Sequence, residues 1–227
     1  MVNCMTWRIV LRRRVADAAA DMPSMVLTIG ARFRAEGMPA EVGILLPTNA
    51  GPKRLIESVA DGSTRANNAI LGLFLASPFL NVDTEGPRLA RSEVRWVTNL
   101  PSVEQQDEEF SRQLSDVDLD HGRELRSLAA FRAQGFQIAV VVAGGPGAAA
   151  AVSIDPDAVI VLPRIADFAA GFPSLRQRGA AIQAVAEVAA GAGWQGLVLG
   201  LGNAAEAEHE RLWPDRLDGL VCRPVHG

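Results

Sequence analysis

Short β-rich apolar runs recur along this chain, and each is followed by a turn with glycine, proline or asparagine and then by an alanine- and charge-rich stretch. Alternation of strands with helices predicts a parallel sheet with helices packed on it, an α/β fold. The predicted strands are Thr6–Leu11, Met25–Gly30, Ala69–Ala76, Val94–Asn99, Phe136–Ala143, Ala158–Pro163, Gly196–Gly200 and Gly219–Cys222. The predicted helices are Arg13–Ala20, Pro52–Ala60, Gly86–Ser92, Asp107–Ala133, Ala148–Ser153, Leu175–Ala190 and Ala204–Leu212, with none after the last strand.

Composition and charge exclude several classes of partner. The 22 basic and 26 acidic residues are scattered and leave a net charge of −4, so no basic stripe indicates nucleic-acid binding. Apolar runs are strand-sized, which argues against a membrane partner. Cys4 and Cys222 are too few and too far apart for a disulfide framework, which favours a reducing, cytoplasmic location. Tyrosine is absent, and a Schiff-base mechanism would have to use Lys53, the single lysine.

Two turns and their surroundings resemble a known family. The family's Thr-Asp-Pro-Phe turn corresponds to Ala76-Ser77-Pro78-Phe79, and its Asn-Phe-Pro-Thr-Val to Asn99-Leu100-Pro101-Ser102-Val103. Further matches are Gly30-Ala31-Arg32-Phe33-Arg34, Leu45-Leu46-Pro47, Phe110, Leu114, Glu124 and Asp218-Gly219. On these residues the chain resembles the phosphoenolpyruvate hydrolase-like family of barrels, distant relatives of isocitrate lyase and phosphoenolpyruvate mutase.

The resemblance favours a barrel over the doubly wound sheet that the same alternation of elements allows. We therefore predict one domain over residues 1–227, a (β/α)8 TIM barrel lacking a helix after the last strand. The chain departs from the family at Ile29, which replaces an asparagine, and at Ser77, which replaces an aspartate. Gly200 and Asn203 stand in the family's His-Gly-Gly-Pro segment, and the chain stops at Gly227 where the family continues.

The candidate site residues follow predicted strands, where barrels carry their chemistry. Arg32 and Arg34 present guanidinium groups that suit a carboxylate or phosphate. Asn99 is expected to orient substrate oxygens, with Ser77 and Ser102 in the two matching turns also assigned to substrate binding. Either Glu124 or His121 is expected to transfer a proton. Glu124 falls at a position that matches the family, and the imidazole of His121 titrates near neutrality.

Two glycine-rich turns are further candidates. Gly202 and Asn203 follow a predicted strand and open a helix, where barrels commonly hold phosphate. The turn from Gly144 to Gly147 imitates a dinucleotide fingerprint, although a tight barrel turn would have the same glycines. Magnesium is left open as a cofactor, with Asp83, Glu85 and Glu104 as carboxylates in neighbouring loops.

These observations give three functional hypotheses. The first is a lyase- or hydrolase-type enzyme acting on a small enol, 2-oxo or phosphorylated carboxylate. The second is a non-catalytic barrel that binds a ligand or another protein, and the third is a nucleotide-dependent oxidoreductase using the turn at Gly145. Because no helix is predicted to cover the last strand, a homodimer or larger homo-oligomer is also expected.

Overall fold

The computed structural model describes residues 7–12, 25–28, 42–48, 51–62, 69–207, 209, 213–214 and 216–222. Its strands are β1 (Trp7–Arg12), β2 (Met25–Thr28), β3 (Ala69–Gly72), β4 (Trp96–Thr98), β5 (Gln137–Val142), β6 (Ala158–Val161), β7 (Leu197–Gly202) and β8 (Gly219–Cys222). Its helices are α1 (Val42–Leu45), α2 (Gly51–Ala60), α3 (Val82–Leu89), α4 (Glu108–Ser115), α5 (His121–Ala133), α6 (Gly145–Val152), α7 (Leu175–Gly191) and α8 (Ala204–Ala207). Short 3-10 turns cover Val103–Gln105 and Ile165–Phe168.

Strands β3 to β8 form a six-stranded, all-parallel half-barrel that is open, with its edges 11 Å apart. Adjacent strands pair in register, as where Leu71 faces Val97 and Val141 faces Ile160. The two N-terminal strands pair with each other and with these edges, β1 with β8 and β2 with β3, so the hydrogen-bonded strand order runs from β1 to β8 and returns to β1.

The prediction of a closed eight-stranded (β/α)8 barrel is wrong, because the sheet that positions the site is the open, six-stranded half-barrel. The hydrogen-bonded strand order does continue through β1 and β2. The predicted helix Arg13–Ala20 between these two strands lies outside the described residues. Strand number, tilt and stagger together decide how a sheet curves and closes, and no local sequence pattern encodes them. The fold class that stands is α/β.

The two faces of the half-barrel are both apolar, as expected for a parallel sheet. Alternate residues such as Leu71, Val97 and Val140 pack against the helices on the outer face. Residues of the opposite parity, such as Trp96 and Val141, form the inner face. Apolar side chains of α1 and of the turn Ile165–Phe168 pack onto that inner cluster. Both segments follow strands, so they lie at the carboxyl edge of the sheet and fill it with apolar side chains.

The predicted helix Asp107–Ala133 is in fact two helices. Helix α4 ends before Asp116, and Asp118 adopts a left-handed backbone conformation with φ of 58°. Helix α5 then begins after Asp120, whose side chain accepts a hydrogen bond from the backbone nitrogen of Arg123. Aspartate tolerates left-handed conformations and caps helix N-termini, so these two aspartates break the helix. The break places His121 at the start of α5.

None of the helices in the described part of the chain has both the length and the apolarity needed to cross a membrane.

Candidate functional site

A buried carboxylate, that of Glu124, is the centre of the site. Glu124 lies in α5, is completely buried, and accepts hydrogen bonds from four groups. Its Oε2 atom is 2.6 Å from Ser102 Oγ, 3.0 Å from Asn99 Nδ2 and 3.0 Å from His121 Nδ1. Its Oε1 atom is 3.1 Å from the backbone nitrogen of Val103. A buried carboxylate is tolerated only when it is paired and hydrogen-bonded in this way.

Asn99 joins the ends of two strands rather than facing a ligand. Its Oδ1 accepts from Val141 N at 2.7 Å, and its Nδ2 lies 3.3 Å from Val141 O, so the side chain bridges β4 to β5. The same Nδ2 also donates to Ser102 Oγ and to Glu124 Oε2. Asn99 is completely buried and packs on the helix side of the sheet. The geometry therefore assigns Asn99 to positioning, in place of the predicted contact with substrate oxygens.

Ser102 is likewise used within the protein. Its hydroxyl donates to Glu124 and accepts from Glu104 N at 3.3 Å, which caps the 3-10 turn Val103–Gln105. The side chain is completely buried. The loop after β4 is thus fixed to α5 through Glu124, and Ser102 is a second positioning residue.

His121 presents the free hydrogen-bonding atom of the network. Its Nδ1 is held by Glu124, whereas its Nε2 is buried and has no hydrogen-bond partner. The side chain as a whole is 16% exposed. Burial lowers the pKa of His121, but the hydrogen bond and charge of Glu124, with smaller contributions from Glu104 and Asp120, outweigh it and raise the pKa above 6.5. Because the carboxylate holds Nδ1–H, the neutral ring presents its lone pair at Nε2.

The raised pKa of His121 predicts a pH-dependent stability. A group with a raised folded-state pKa contributes stability that is fully present below its unfolded value of 6.5 and is lost as pH rises through the folded pKa. We expect the free energy of unfolding, from urea titrations, to decline over this range in the wild type and to decline less in His121→Gln. The control His209→Gln changes an exposed histidine and should keep the wild-type slope. Equal slopes in all three proteins would contradict the effect of Glu124 on His121.

The glycine-rich turn after β5 is occupied by the carboxylate of Glu104. Glu104 Oε2 accepts a hydrogen bond from Ala143 N at 2.8 Å, and a Cβ atom placed on Gly147 would lie 2.2 Å from the same carboxylate. Glycine at position 147 therefore allows this close approach. A negative side chain fills the place that a phosphate would take in a dinucleotide site, which argues against the fingerprint interpretation of the turn at Gly145.

The turn after β7 is also satisfied internally. Gly202 is the last residue of β7, and Asn203 N donates to Glu206 Oε2 at 3.0 Å while Asn203 Oδ1 accepts from Glu206 N. Glu206 in turn pairs with the buried Arg178. An anion at this turn would meet a carboxylate already bonded to its backbone donor. Asn203 therefore acts as the N-terminal cap of α8, in place of the predicted phosphate contact.

The remaining candidates are not brought together. Ser77 is buried after β3, and its hydroxyl accepts from Phe79 N at 3.3 Å in a local turn. Asp83 is exposed, Glu85 pairs with Arg88, and Glu104 accepts a hydrogen bond from Ala143 N. The three proposed magnesium ligands therefore do not form one cluster. Across the described ranges, histidine, cysteine and carboxylate side chains form no group of three suited to a metal ion. Arg32 and Arg34 lie outside the described residues.

The sequence analysis missed several buried polar residues, among them Arg178 and Gln105. Arg178 is 5% exposed and was read only as part of a packed helix, because no local pattern marks its distant partner Glu206. Gln105 is completely buried, and neither polar atom of its amide has a hydrogen-bond partner. The available signal for Gln105 was its place two positions beyond the matched motif that ends at Val103.

Fold and site together define an α/β half-barrel with a buried His–Glu pair at the carboxyl edge of its sheet. No protein-family model matches the chain, and no curated protein matches it. Among solved structures, the nitroalkane oxidase from Streptomyces ansochromogenes aligns with 75% of this chain at 16% sequence identity and a TM-score of 0.34. The aligned part is 45% of that protein's chain, so the alignment spans less than half of its length. A likeness this weak carries no argument about function.

Proposed function

We propose that this protein is a lyase- or hydrolase-type enzyme acting on a small enol, 2-oxo or phosphorylated carboxylate, with proton transfer at His121 Nε2. The observation that carries the proposal is the pairing of His121 Nδ1 with a buried carboxylate while Nε2 keeps no partner. Carboxylate, imidazole and a free second nitrogen are the arrangement by which histidine performs general acid–base catalysis.

Each residue of the network then has a separate role. Glu124 fixes the tautomer and orientation of the imidazole and stabilises its charged form. Asn99 and Ser102 hold Glu124 in place through the bonds at 3.0 Å and 2.6 Å, so they act on the reaction only through it. The raised pKa of His121 keeps the ring protonated to higher pH than a free histidine, which suits a proton donor.

The substrate class rests on the family resemblance. The stretch from Asn99 to Val103, with Glu124 in register, carries the likeness to the phosphoenolpyruvate hydrolase-like family. A protonated His121 would also favour an anionic substrate. Arg32 stays the predicted anion-binding residue. A cytoplasmic location and a homodimer also stay predictions.

Turnover of a carboxylate panel that includes phosphoenolpyruvate and oxaloacetate tests the proposal. We expect His121→Gln to lower kcat by about 100-fold or more, the usual contribution of a positioned acid–base group. His209→Gln, which changes an exposed histidine, should retain wild-type kcat. Full activity in His121→Gln would remove that residue from the chemistry, and no turnover of any panel member would overturn the enzymatic proposal.

A second candidate is a non-catalytic barrel-like protein that binds a ligand or another protein. The observation favouring it is that apolar side chains of α1 and of the turn Ile165–Phe168 pack over the inner face of the sheet at its carboxyl edge. Enzymes of this general architecture usually keep that edge polar and open. The same panel separates the two candidates, since a purely binding protein gives no product.

A further inference from the structure

A cleft on the outer side of the sheet lies apart from the His121 network. It has a volume of about 420 Å³ and is formed between the segment after β3 and one face of α5. The α5 wall carries Arg123, Arg126, Ser127 and Ala130. The facing wall is mostly apolar, with a single acidic side chain: Pro78, Leu80, Asn81, Val82 and Asp83.

Arg123 is the unusual residue of this cleft. Its Nε atom is buried and has no hydrogen-bond partner, and its guanidinium makes no ion pair with any described residue. Other partly buried arginines in the described chain do have partners. Arg132 pairs with Asp155 and Asp157 at 3.1 and 3.2 Å, and Arg88 pairs with Glu85 at 2.9 Å. A partly buried guanidinium without an ion-pair partner is costly, which points to an acceptor supplied from outside the chain.

Arg126, one turn further along α5, adds a second positive charge to the same wall. It is 69% exposed, and its nearest carboxylate, that of Asp120, is 4.0 Å away. Two neighbouring guanidinium groups with spare donors match the oxygens of a carboxylate or phosphate. Asp83 on the opposite wall and Asp120 beside Arg126 offset part of this positive charge, which disfavours a second negative charge on the ligand. The charge balance therefore selects a singly charged anion.

We infer that this cleft binds a small organic monocarboxylate, with the carboxylate on Arg123 and a short apolar body against Pro78, Leu80 and Val82. The apolar wall gives such a body a surface that inorganic anions cannot use. This site is independent of the proposed reaction at His121.

Benzoate, followed by isothermal titration calorimetry on the full chain, is the test probe. We expect saturable binding at millimolar concentration, weaker binding of phenyl phosphate, and affinity for benzoate reduced about tenfold or more in Arg123→Gln, since one charge-assisted contact is lost. The matched control Arg176→Gln changes an exposed arginine of α7 and should bind benzoate like the wild type.

Three other outcomes would contradict the proposed monocarboxylate site. Equal benzoate affinity in Arg123→Gln and the wild type, no saturable binding, or tighter binding of phenyl phosphate would each overturn it. Backbone amide shifts of Ser127 and Ala130 on adding benzoate, measured by NMR, would locate the ligand in the cleft. His121→Gln should leave benzoate binding unchanged, so failure of the proposed enzymatic function would not affect this result.

Discussion

Replacing Glu124 by glutamine is expected to lower the free energy of unfolding by roughly 3 kcal/mol, the order found when one partner of a buried charged network is removed. Four donors converge on this carboxylate, from Asn99, Ser102, Val103 and His121. Glutamine keeps the shape but offers one acceptor oxygen, and its amide hydrogens would face donors. Urea titration followed by circular dichroism measures the change.

Glu109→Gln is the matched control, because this glutamate lies on α4, which has no buried residues. Among the described residues its side chain has one hydrogen-bond partner, Gln113, at 3.5 Å, so the substitution should leave the unfolding midpoint unchanged. If Glu124→Gln were as stable as Glu109→Gln, the carboxylate would not be the anchor of the loop after β4. The role of Glu124 in orienting His121 would then also fail.

The second large effect is expected at Arg178, where methionine should also destabilise the fold by about 3 kcal/mol. Its guanidinium donates to both carboxylate oxygens of Glu206, at 3.0 and 2.6 Å. It also donates to the backbone oxygens of Pro173 and Leu201, and lies 4.9 Å from the ring centre of Phe172. Methionine fills part of the volume but leaves the carboxylate of Glu206 without its cation. Thermal and urea unfolding both report the loss.

Arg176→Met tests whether the effect is specific, since Arg176 lies two residues earlier in α7 and is exposed. It should unfold at the wild-type midpoint. Adding Glu206→Gln to Arg178→Met should cost much less than it does alone, because residues in one network are not additive. Additive effects of the two changes would show that the pair is not a coupled unit.

The sequence by itself determined the identity and order of the strands. All eight predicted strands coincide with strands of the structure to within a few residues, as with Gly219–Cys222 and with Phe136–Ala143 against Gln137–Val142. Helix α7, predicted as Leu175–Ala190, spans Leu175–Gly191. These features depend on local periodicity, turn residues and propensity, which a sequence displays directly. The family register also directed attention to Asn99, Ser102 and Glu124, which the structure brings together.

Tertiary structure alone decided how the sheet is built and what each polar residue contacts. The half-barrel of β3 to β8, open by 11 Å, depends on strand tilt and stagger. Asn99 faces α5, Glu104 fills the turn before Gly147, and Arg178 reaches Glu206 across 28 positions of sequence. Each of these contacts joins segments far apart in the chain. A local pattern specifies which face of an element is apolar, but the partner of a buried polar group is fixed only when distant elements pack together.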